Sequence, residues 1–399
     1  MSGTRVCAVS HKECWQSPEG DWYSSGGFPL QMAAVASLFD AMTLLITRRD
    51  SPGEGGLRLP SGAEIIELRK PTGQAFRRKM SVLGNLRYYI STIAYHASKA
   101  DVVHIPPPGD IPLLGMLVAL ALRKRLIVRY CASWVKTSET TLMNRVTRGL
   151  MRVFAGGRNV MLATGEAEVP PAPGITWIFA TGLSEEELTL TAPVNSRKLS
   201  DPPQVAYIGR LAEGKGVREL IQALAQLRRD GFHPMPHVTL IGDGPERQQL
   251  RAQADEDGLG ELVTFAGQLD RCSLDARLTG VDFCVQASLS EGYSKAWLDA
   301  FAHGLPVLAS EAGAARPVIG GNGERGWLVP PGDVRALAEQ LRRVLSEPRD
   351  WDALRRRCRE FAENRTLENW ARQIGERCAE QWGFRVTEGK LVAQQGLRP

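Results

Sequence analysis

Two cations and two carboxylates lie in loops or in the first turns of a helix, where they could bind a ligand. The segment YIGRLAEGKGVREL places Arg210 after an apolar run and Lys215 before a helical pattern. The segment SLSEGYSKAWLDAFAHGLPVLAS places Glu291 in a glycine-containing turn and Asp299 in the apolar stretch that follows. Two cations in one strand-to-helix loop can converge on an anion, and the start of the helix adds free N–H groups and a favourable dipole. A diphosphate is the natural partner of such a loop.

The surroundings of the two acids favour a ligand rich in hydroxyl groups. We predict a turn over EGYS and a helix over KAWLDAFAHG, with Ser294 as the N-cap. The backbone N–H groups of Gly292, Tyr293 and Ser294 would then point into the same crevice as both acids. A carboxylate only accepts hydrogen bonds. Two carboxylates beside free N–H donors therefore suit a sugar with a ribose behind it.

Three neighbouring loops carry a glycine directly after a strand pattern. These are Gly209 in YIGRLAEGKG, Gly242 in LIGDGPERQQL and Gly267 in TFAGQLD. Each is compatible with a tight strand-to-helix turn as well as with a ligand loop. After the last of them, backbone groups of Gln268 and Leu269 could meet the edge of a nucleobase. The spacing is not that of a Walker phosphate loop, since no G-x-x-x-x-G-K-[ST] occurs.

Short β-branched runs alternate with longer helical patterns, which is typical of βαβ units and parallel sheets. We predict a doubly wound, Rossmann-like domain over 1–183, in which SVLGNLRYYISTIAYHASKA forms one long helix. A polar stretch ending in two prolines predicts a linker over 184–203. A second such domain follows over 204–365, and 366–399 begins with a helix long enough to return to the first domain. Two facing sheets of this kind bind ligands at the carboxyl ends of their strands.

Composition and charge narrow the class of protein. The chain has 399 residues, 43% of them hydrophobic and 23% charged, as expected for two globular domains. The net charge of +5 is modest, but basic residues cluster in LRKPTGQAFRRKM and LRKRL. Such clusters are either solvated surface or an attraction to anionic lipid head groups or a phosphorylated acceptor. No aromatic-interleaved basic motif or zinc spacing accompanies them, so nucleic acid is not an expected partner.

Cysteine usage and the apolar stretches indicate the compartment. The seven cysteines are scattered and form no C-x-x-C pair, which favours reduced thiols in a cytosol. The amino terminus lacks the apolar core of a signal peptide. The longest apolar stretch, IPLLGMLVALAL, is too short to span a bilayer. We expect a cytoplasmic protein with, at most, weak peripheral contact at the inner face of a membrane.

Taken together, these segments resemble the retaining glycosyltransferases of family 4, which have the GT-B architecture. The resemblance is strong from VAYIGRLAEGKGVRELIQAL through SEGYSKAWLDAFAHGLPVLAS to GWLVPPGD. In the first domain only ADVVHIPPPGD and the loop at Gly26 and Gly27, on the donor side, fit the pattern, and they fit it loosely. The resemblance implies transfer of a sugar from a nucleoside-diphosphate donor to a hydroxyl with retention of configuration. It also implies no metal and no other cofactor, and a role in polysaccharide, glycolipid or glycoconjugate synthesis.

The resemblance also implies roles for particular residues. The positions of Arg210 and Lys215 bind the donor diphosphate. The position of Glu291 lies by the transferred sugar, and that of Asp299 binds the ribose hydroxyls. The acceptor is left open between a soluble saccharide and a lipid-linked molecule, and the basic first half favours the lipid.

The sequence departs from the family pattern at three positions whose roles the resemblance implies. The second acid is normally Glu, and Asp299 is shorter by one methylene. The turn commonly has Gly where Ser294 stands, and Lys295 after it is either a contact to phosphate or an acidic sugar, or a surface lysine. Cys131 stands where relatives often carry His, which leaves His104 as the candidate catalytic residue on the acceptor side.

The same residues are compatible with other functions. A sugar-nucleotide epimerase shares the architecture but usually needs several titratable residues in the first domain, where HIPPPGD offers few. A degenerate, non-catalytic sugar-nucleotide-binding subunit is conceivable because of the departures. A dehydrogenase is disfavoured because no G-x-G-x-x-G follows the first strand. The D-x-D at 255–257 is interpreted as solvated surface on a charged helix, so no metal site is expected.

Overall fold

The computed structural model describes residues 3–53, 56–73, 75–134, 140–191, 198–321 and 323–393. The chain forms two compact units. The first comprises Met1–Gly165, Val169–Gly182 and Leu367–Pro399, and the second comprises Glu166–Glu168 and Leu183–Thr366. The three residues Glu166–Glu168 belong to the second unit although they lie within the stretch 1–183.

The first unit is built on a largely parallel sheet. The parallel strands run in the order β5-β3-β1-β6-β7-β8-β9, while β2 pairs antiparallel with the end of β1, and β4 with β2. The strands are β1 (Arg5–Gln16), β2 (Trp22–Ser25), β3 (Ala41–Arg48), β4 (Gly56–Arg58), β5 (Glu64–Leu68), β6 (Val102–Ile105), β7 (Arg125–Tyr130), β8 (Asn159–Thr164) and β9 (Ile175–Ile178). The helices are α1 (Phe28–Ala36), α2 (Ala75–Gly84), α3 (Leu86–Ser98), α4 (Asp110–Ala121) and α5 (Leu142–Val153).

The prediction of one long helix before β6 was wrong, because the chain forms α2 and α3 with a break at Asn85. The Asn85 amide donates to the carbonyl of Ser81 at 2.9 Å, and its side-chain oxygen accepts from Arg69 at 3.1 Å. Asparagine side chains compete with the helical backbone for hydrogen bonds in this way. The preceding Gly84 is also a poor helix former.

The second unit alternates strands and helices throughout. In chain order it contains α6 (Glu185–Leu190), β10 (Gln204–Ile208), α7 (Val217–Arg229), β11 (His237–Ile241), α8 (Arg247–Glu256), β12 (Val263–Gly267), α9 (Arg271–Leu278), β13 (Phe283–Gln286), α10 (Lys295–Ala302), β14 (Val307–Ser310), α11 (Ala315–Ile319), β15 (Gly326–Val329), α12 (Val334–Ser346) and α13 (Trp351–Glu363). Its sheet is parallel, in the order β12-β11-β10-β13-β14-β15. The order reverses between β10 and β13, which makes that pair the topological switch point.

The segment expected to be a linker contains a helix. Ser184 accepts a hydrogen bond from the backbone of Glu187 at 3.0 Å, and the Glu187 carboxylate accepts one from the backbone of Ser184 at 2.9 Å. This reciprocal capping box starts α6. The polar composition of the segment concealed a strong helix start.

The last part of the chain belongs to the first unit, as expected. It consists of α14 (Leu367–Trp382), β16 (Phe384–Thr387) and β17 (Lys390–Ala393). The Trp382 indole donates to the carbonyl of Arg158 at 3.1 Å, and the backbone of Leu391 donates to that of Leu38 at 2.9 Å. These bonds fasten the returning segment to the first unit.

Two expectations from composition can be compared with the described residues. All seven cysteines lie among them, and none is joined in a disulfide. No helix in the described part of the chain is long and apolar enough to cross a membrane.

Candidate active site

An ion pair bridges the switch point of the second unit. Lys215, in the loop after β10, places its Nζ 3.0 Å from Oε2 of Glu291, in the loop after β13. Both side chains remain partly exposed, 36% for the lysine and 17% for the glutamate. The carboxyl ends of parallel strands at a switch point are where α/β sheets bind ligands. The structure therefore brings together a cation and an acid that the sequence identified separately.

A glycine holds the loop after β10 against the exit of β13. Gly216 is the N-cap of α7 with φ of +74°. A Cβ at this position would lie 1.9 Å from the carbonyl oxygen of Ala287. The backbone of Leu289 also donates to the carbonyl of Gly214 at 2.9 Å. This close backbone approach, which only glycine permits, brings Lys215 to Glu291.

We expect Gly216→Ala to lower the free energy of unfolding of the second unit by at least ~3 kcal/mol, because it adds steric overlap to the cost of a positive φ. The matched control is Gly214→Ala, at φ of +78° with no atom within 4 Å of the added Cβ. That control should lose only about 1 kcal/mol. Thermal unfolding monitored by circular dichroism would measure both, and equal losses would contradict the role assigned to the close approach.

The loop after β14 packs against the backbone of Glu291 and Gly292. Gly313 has φ of +58°, and a Cβ there would lie 1.9 Å from the carbonyl oxygen of Glu291. The backbone of Ala314 donates to the carbonyl of Gly292 at 3.0 Å. Tyr207 also lies close to Glu291. The pKa of its phenol is raised mainly by burial and to a smaller extent by the charge of Glu291. Glu291 is thus held by backbone contacts while its carboxylate faces Lys215.

Arg210 lies in the loop after β10. Its side chain is exposed and forms no ion pair with another described residue. Its carbonyl accepts a hydrogen bond from Tyr207 at 3.1 Å, and the next residue, Leu211, donates to Asp243 at 3.0 Å. Gly209 donates to the end of β11 at 2.9 Å, and Gly242 donates to Gly267 at 2.8 Å. The three glycines predicted from the sequence therefore join consecutive loops at one edge of the sheet.

Asp299 has a partner that the sequence did not predict. Its Oδ1 lies 2.6 Å from Nη1 of Arg271, the first residue of α9. The same guanidinium lies 3.3 Å from Asp275 and 3.9 Å from Glu187. Asp299 and Glu291 thus face different cations. The ribose contact implied by the resemblance would have to share the Asp299 carboxylate with Arg271.

The remaining predicted donor residues differ in what they expose. Gln268 is exposed, Leu269 and Ser294 are half-buried, and Ser294 occupies the N-cap position of α10 without a side-chain hydrogen bond. Lys295 is the first residue of that helix. The side chain of Tyr293 is only 7% exposed, so a contact of this residue with the donor could come only from its backbone N–H group. Burial, followed by nearby Glu166, raises the pKa of its phenol.

The structure does not support a catalytic role for His104. Its side chain is fully buried in β6, which pairs with strands on both sides. Burial, together with the charge of Arg129, lowers the pKa of the imidazole to about 3. A histidine in a strand pattern can face the core or a ligand, and the sequence did not distinguish the two. His104 belongs to the core.

We expect His104→Leu to make folding less sensitive to acid. Between pH 6.5 and about 3 the unfolded imidazole binds a proton that the folded one does not, so falling pH favours unfolding. The wild type should lose roughly 2 kcal/mol more than the variant between pH 7 and pH 5. Urea unfolding at the two pH values measures this difference. Equal sensitivity to acid in the two proteins would contradict the assignment of His104 to the core.

Another histidine lies where a ligand could reach it. His11 lines a pocket of about 890 Å³ in the first unit, together with Ser25, Gly109 and Asp110. Its Nδ1 has no hydrogen-bond partner among the described residues. Burial lowers its pKa, and Asp110 opposes only part of that effect. Sequence inspection missed it, although SHKE directly follows the first strand pattern and Ser25 directly precedes the predicted loop at Gly26 and Gly27.

The D-x-D and the Gly26-Gly27 loop can also be placed. Asp255 and Glu256 end α8 and are exposed, as expected for solvated surface. Gly26 has φ of +72°, and Gly27 is the N-cap of α1. Both glycines belong to the first unit.

The fold is that of solved proteins, and part of the second unit matches a family model. Residues 191–365 match the family described as glycosyl transferases group 1. Sucrose-phosphate synthase from Thermosynechococcus elongatus covers 94% of this chain and 98% of its own, with a TM-score of 0.65 and 21% identity. The Anabaena protein HepE, solved with UDP, covers 94% and 100%, with a TM-score of 0.66 and 18% identity. The chain has the GT-B fold, and its residues 191–365 match the group 1 family of glycosyl transferases.

Curated relatives match a shorter part of the chain. The glycogen synthase of Mycobacterium tuberculosis is 33% identical over 181 residues, which are 44% of this chain and 43% of that protein. The phosphatidyl-myo-inositol mannosyltransferase of Mycobacterium leprae is 34% identical over 187 residues, 44% and 47% of the two chains. The chain therefore matches less than half the length of these relatives.

Proposed function

We propose that the protein transfers a sugar from a nucleoside-diphosphate donor to a hydroxyl group of an acceptor, with retention of configuration and without a metal ion. The observation that carries the proposal is the Lys215–Glu291 pair across the switch point, with Arg210 exposed in the same loop. The family match over residues 191–365 and the solved UDP complex of a protein with this fold support it.

The diphosphate of the donor would bind at the start of α7. Arg210 and Lys215 come from the loop that leads into this helix, and the first N–H groups of a helix have no intrahelical partner. As the bond from the anomeric carbon to the phosphate oxygen breaks, negative charge grows on the diphosphate. Two cations and the helix dipole stabilise that charge, which is the task of a divalent cation in other transferases.

Glu291 would contact the sugar that is transferred. Its carboxylate can accept hydrogen bonds from sugar hydroxyls while Lys215 holds it in place. The acceptor hydroxyl attacks the anomeric carbon on the face that the diphosphate leaves, and its proton passes to a departing phosphate oxygen. One C–O bond forms and one breaks, so no separate general base is required.

A thermal-shift panel with UDP, GDP, ADP and dTDP tests the proposal at its first step. One of them should raise the midpoint of unfolding, because a ligand that binds only the folded state stabilises it. The matching sugar nucleotide should then yield a glycosylated product with a membrane or saccharide fraction as acceptor, also in the presence of EDTA. Failure of every diphosphate to bind, or epimerised sugar from donor alone, would overturn the proposal.

A further inference from the structure

The pocket of the first unit lies at the carboxyl edge of its sheet. It is lined by His11 at the irregularity in β1 between Val9 and Glu13, by Arg49 after β3 and Gly109 after β6, and by residues of α2 and α5. Its volume is about 890 Å³, which is enough for a ligand of substantial size. Nothing in the proposed chemistry of the second unit uses these residues.

The pocket carries an excess of positive charge. Its two acids are already neutralised, because Asp110 accepts two hydrogen bonds from Arg78, at 2.9 and 3.0 Å, and Glu13 pairs with Lys70 at 2.9 Å.

Three further lining residues have no ion pair in the part of the chain that the structure describes. They are Lys12, Arg49 and Lys79. Three cations without partners at one pocket are complementary to an anionic group such as a phosphate.

Another part of the lining is apolar. Leu113 of α4 and Leu142, Met143 and Val146 of α5 line the same pocket. A ligand that satisfies both parts of the lining is an amphiphile, with an anionic group and an apolar portion. A free sugar phosphate would leave the apolar part of the lining without a partner.

The two helices at the pocket expose rows of apolar side chains. On α2 these are Phe76, Met80 and Leu83, which are 73%, 50% and 60% exposed. Their spacing places them on one face of the helix, and Arg77 and Lys79 are exposed among them. Large apolar side chains with interspersed cations are typical of helices that lie in a membrane interface.

Helix α5 repeats the pattern of α2. Leu142, Val146 and Val153 are 71%, 44% and 74% exposed and fall on one face. Arg145 and Arg152 are exposed on the same helix. A second row on the other helix of the pocket extends the apolar surface, and such surfaces mark interaction sites in soluble proteins.

We propose that this face of the first unit binds a membrane that contains anionic lipid. The rows on α2 and α5 enter the interface, and the pocket holds the anionic head group of a lipid-borne acceptor. That the bound lipid is the acceptor rests on the proposed transfer; binding to the membrane does not. Arg77 and Lys79, two of the clustered basic residues in the sequence, are exposed on α2 at this face.

Vesicle sedimentation tests the proposal with the full chain and no donor present. The protein should bind vesicles of phosphatidylcholine with 30% phosphatidylglycerol and sediment little with phosphatidylcholine alone. A triple variant of the pocket, Lys12→Gln with Arg49→Gln and Lys79→Gln, should bind the anionic vesicles about tenfold more weakly or worse.

A variant of equal net charge separates the pocket from general attraction. Lys99→Gln with Arg229→Gln and Arg335→Gln removes three exposed cations that do not line the pocket. This control should keep the wild-type affinity to within about twofold. Equal losses in the two triple variants would show attraction by net charge alone and would overturn the pocket as the site.

A variant of the apolar row completes the test. Phe76→Gln with Met80→Gln and Leu83→Gln changes only exposed side chains, so its unfolding midpoint should stay at the wild-type value. Its affinity for anionic vesicles should fall by about tenfold or more. Unchanged binding would overturn insertion of the row.

A free anion is the other source of the same chemistry. Inorganic phosphate or glycerol 3-phosphate could stabilise the protein through the pocket cations while vesicles do not bind. That result would overturn the proposal that this face binds a membrane. Equal binding to neutral and anionic vesicles would overturn the claim that the pocket recognises an anionic head group. Because the thermal-shift panel with nucleoside diphosphates reports on the second unit, failure of the lipid proposal and failure of the transfer proposal can be told apart.

Discussion

Glu291→Gln is expected to slow sugar transfer about 100- to 1,000-fold while leaving the fold and donor binding nearly unchanged. The amide keeps the shape of the carboxylate but removes the charge that pairs with Lys215 at 3.0 Å and that we propose contacts the sugar. Removal of one preorganised electrostatic contact to a transition state typically costs a rate factor of this size. Initial rates with saturating donor measure the effect, and the thermal shift by the nucleoside diphosphate shows that the site still binds.

The matched control for this substitution is Glu213→Gln. Glu213 is exposed in the same loop as Lys215 and forms no ion pair with another described residue. The control should transfer sugar at the wild-type rate to within about twofold. An unchanged rate in Glu291→Gln would remove Glu291 from the mechanism, and equal losses in both variants would show an effect of loop charge alone.

Arg210→Met is expected to weaken binding of the nucleoside diphosphate about 10- to 100-fold. The physical reason is the loss of a charge-assisted hydrogen bond to phosphate, worth about 1.5–3 kcal/mol, with about 1.4 kcal/mol for each tenfold change. Because Arg210 is exposed and without an ion pair among the described residues, its removal should leave the stability of the apo protein unchanged. Isothermal titration calorimetry gives the dissociation constant directly.

Arg229→Met provides the control for the arginine. Arg229 is exposed at the other end of α7, so the net charge falls by the same amount away from the loop. Its dissociation constant should match that of the wild type to within about twofold. Equal weakening in both variants would mean that the diphosphate responds to overall charge and does not contact Arg210.

Elements with a strong local pattern were predicted correctly. The glycines at 209, 242 and 267 and the cations of the loop after β10 stand where strand patterns end, and the structure places them at one edge of a parallel sheet. Errors arose where a local signal was weak or had two meanings. Asn85 broke a periodic apolar pattern into two helices, and the capping box at Ser184 was hidden in a polar segment.

Side-chain environments were predicted less well than elements. A tyrosine in a turn and a histidine in a strand can each face solvent or the core, and Tyr293 and His104 both face the core. His11 was overlooked, because its position at a pocket depends on residues after β6 and on helices far along the chain. Burial is a property of the packed fold, so a single stretch of sequence carries little information about it.

The printed sequence is enough to recognise two α/β units, their approximate boundaries and the loops that contain Arg210, Lys215 and Glu291, since strand and helix periodicity and turn residues are local. The sequence does not show that Lys215 contacts Glu291. Lys215 meets Glu291 because β10 and β13 are neighbours at the switch point, although two other strands separate them along the chain. Asp299 meets Arg271 through the packed fold in the same way. Strand order and packing bring distant residues together, and these are settled only when the whole sheet has formed.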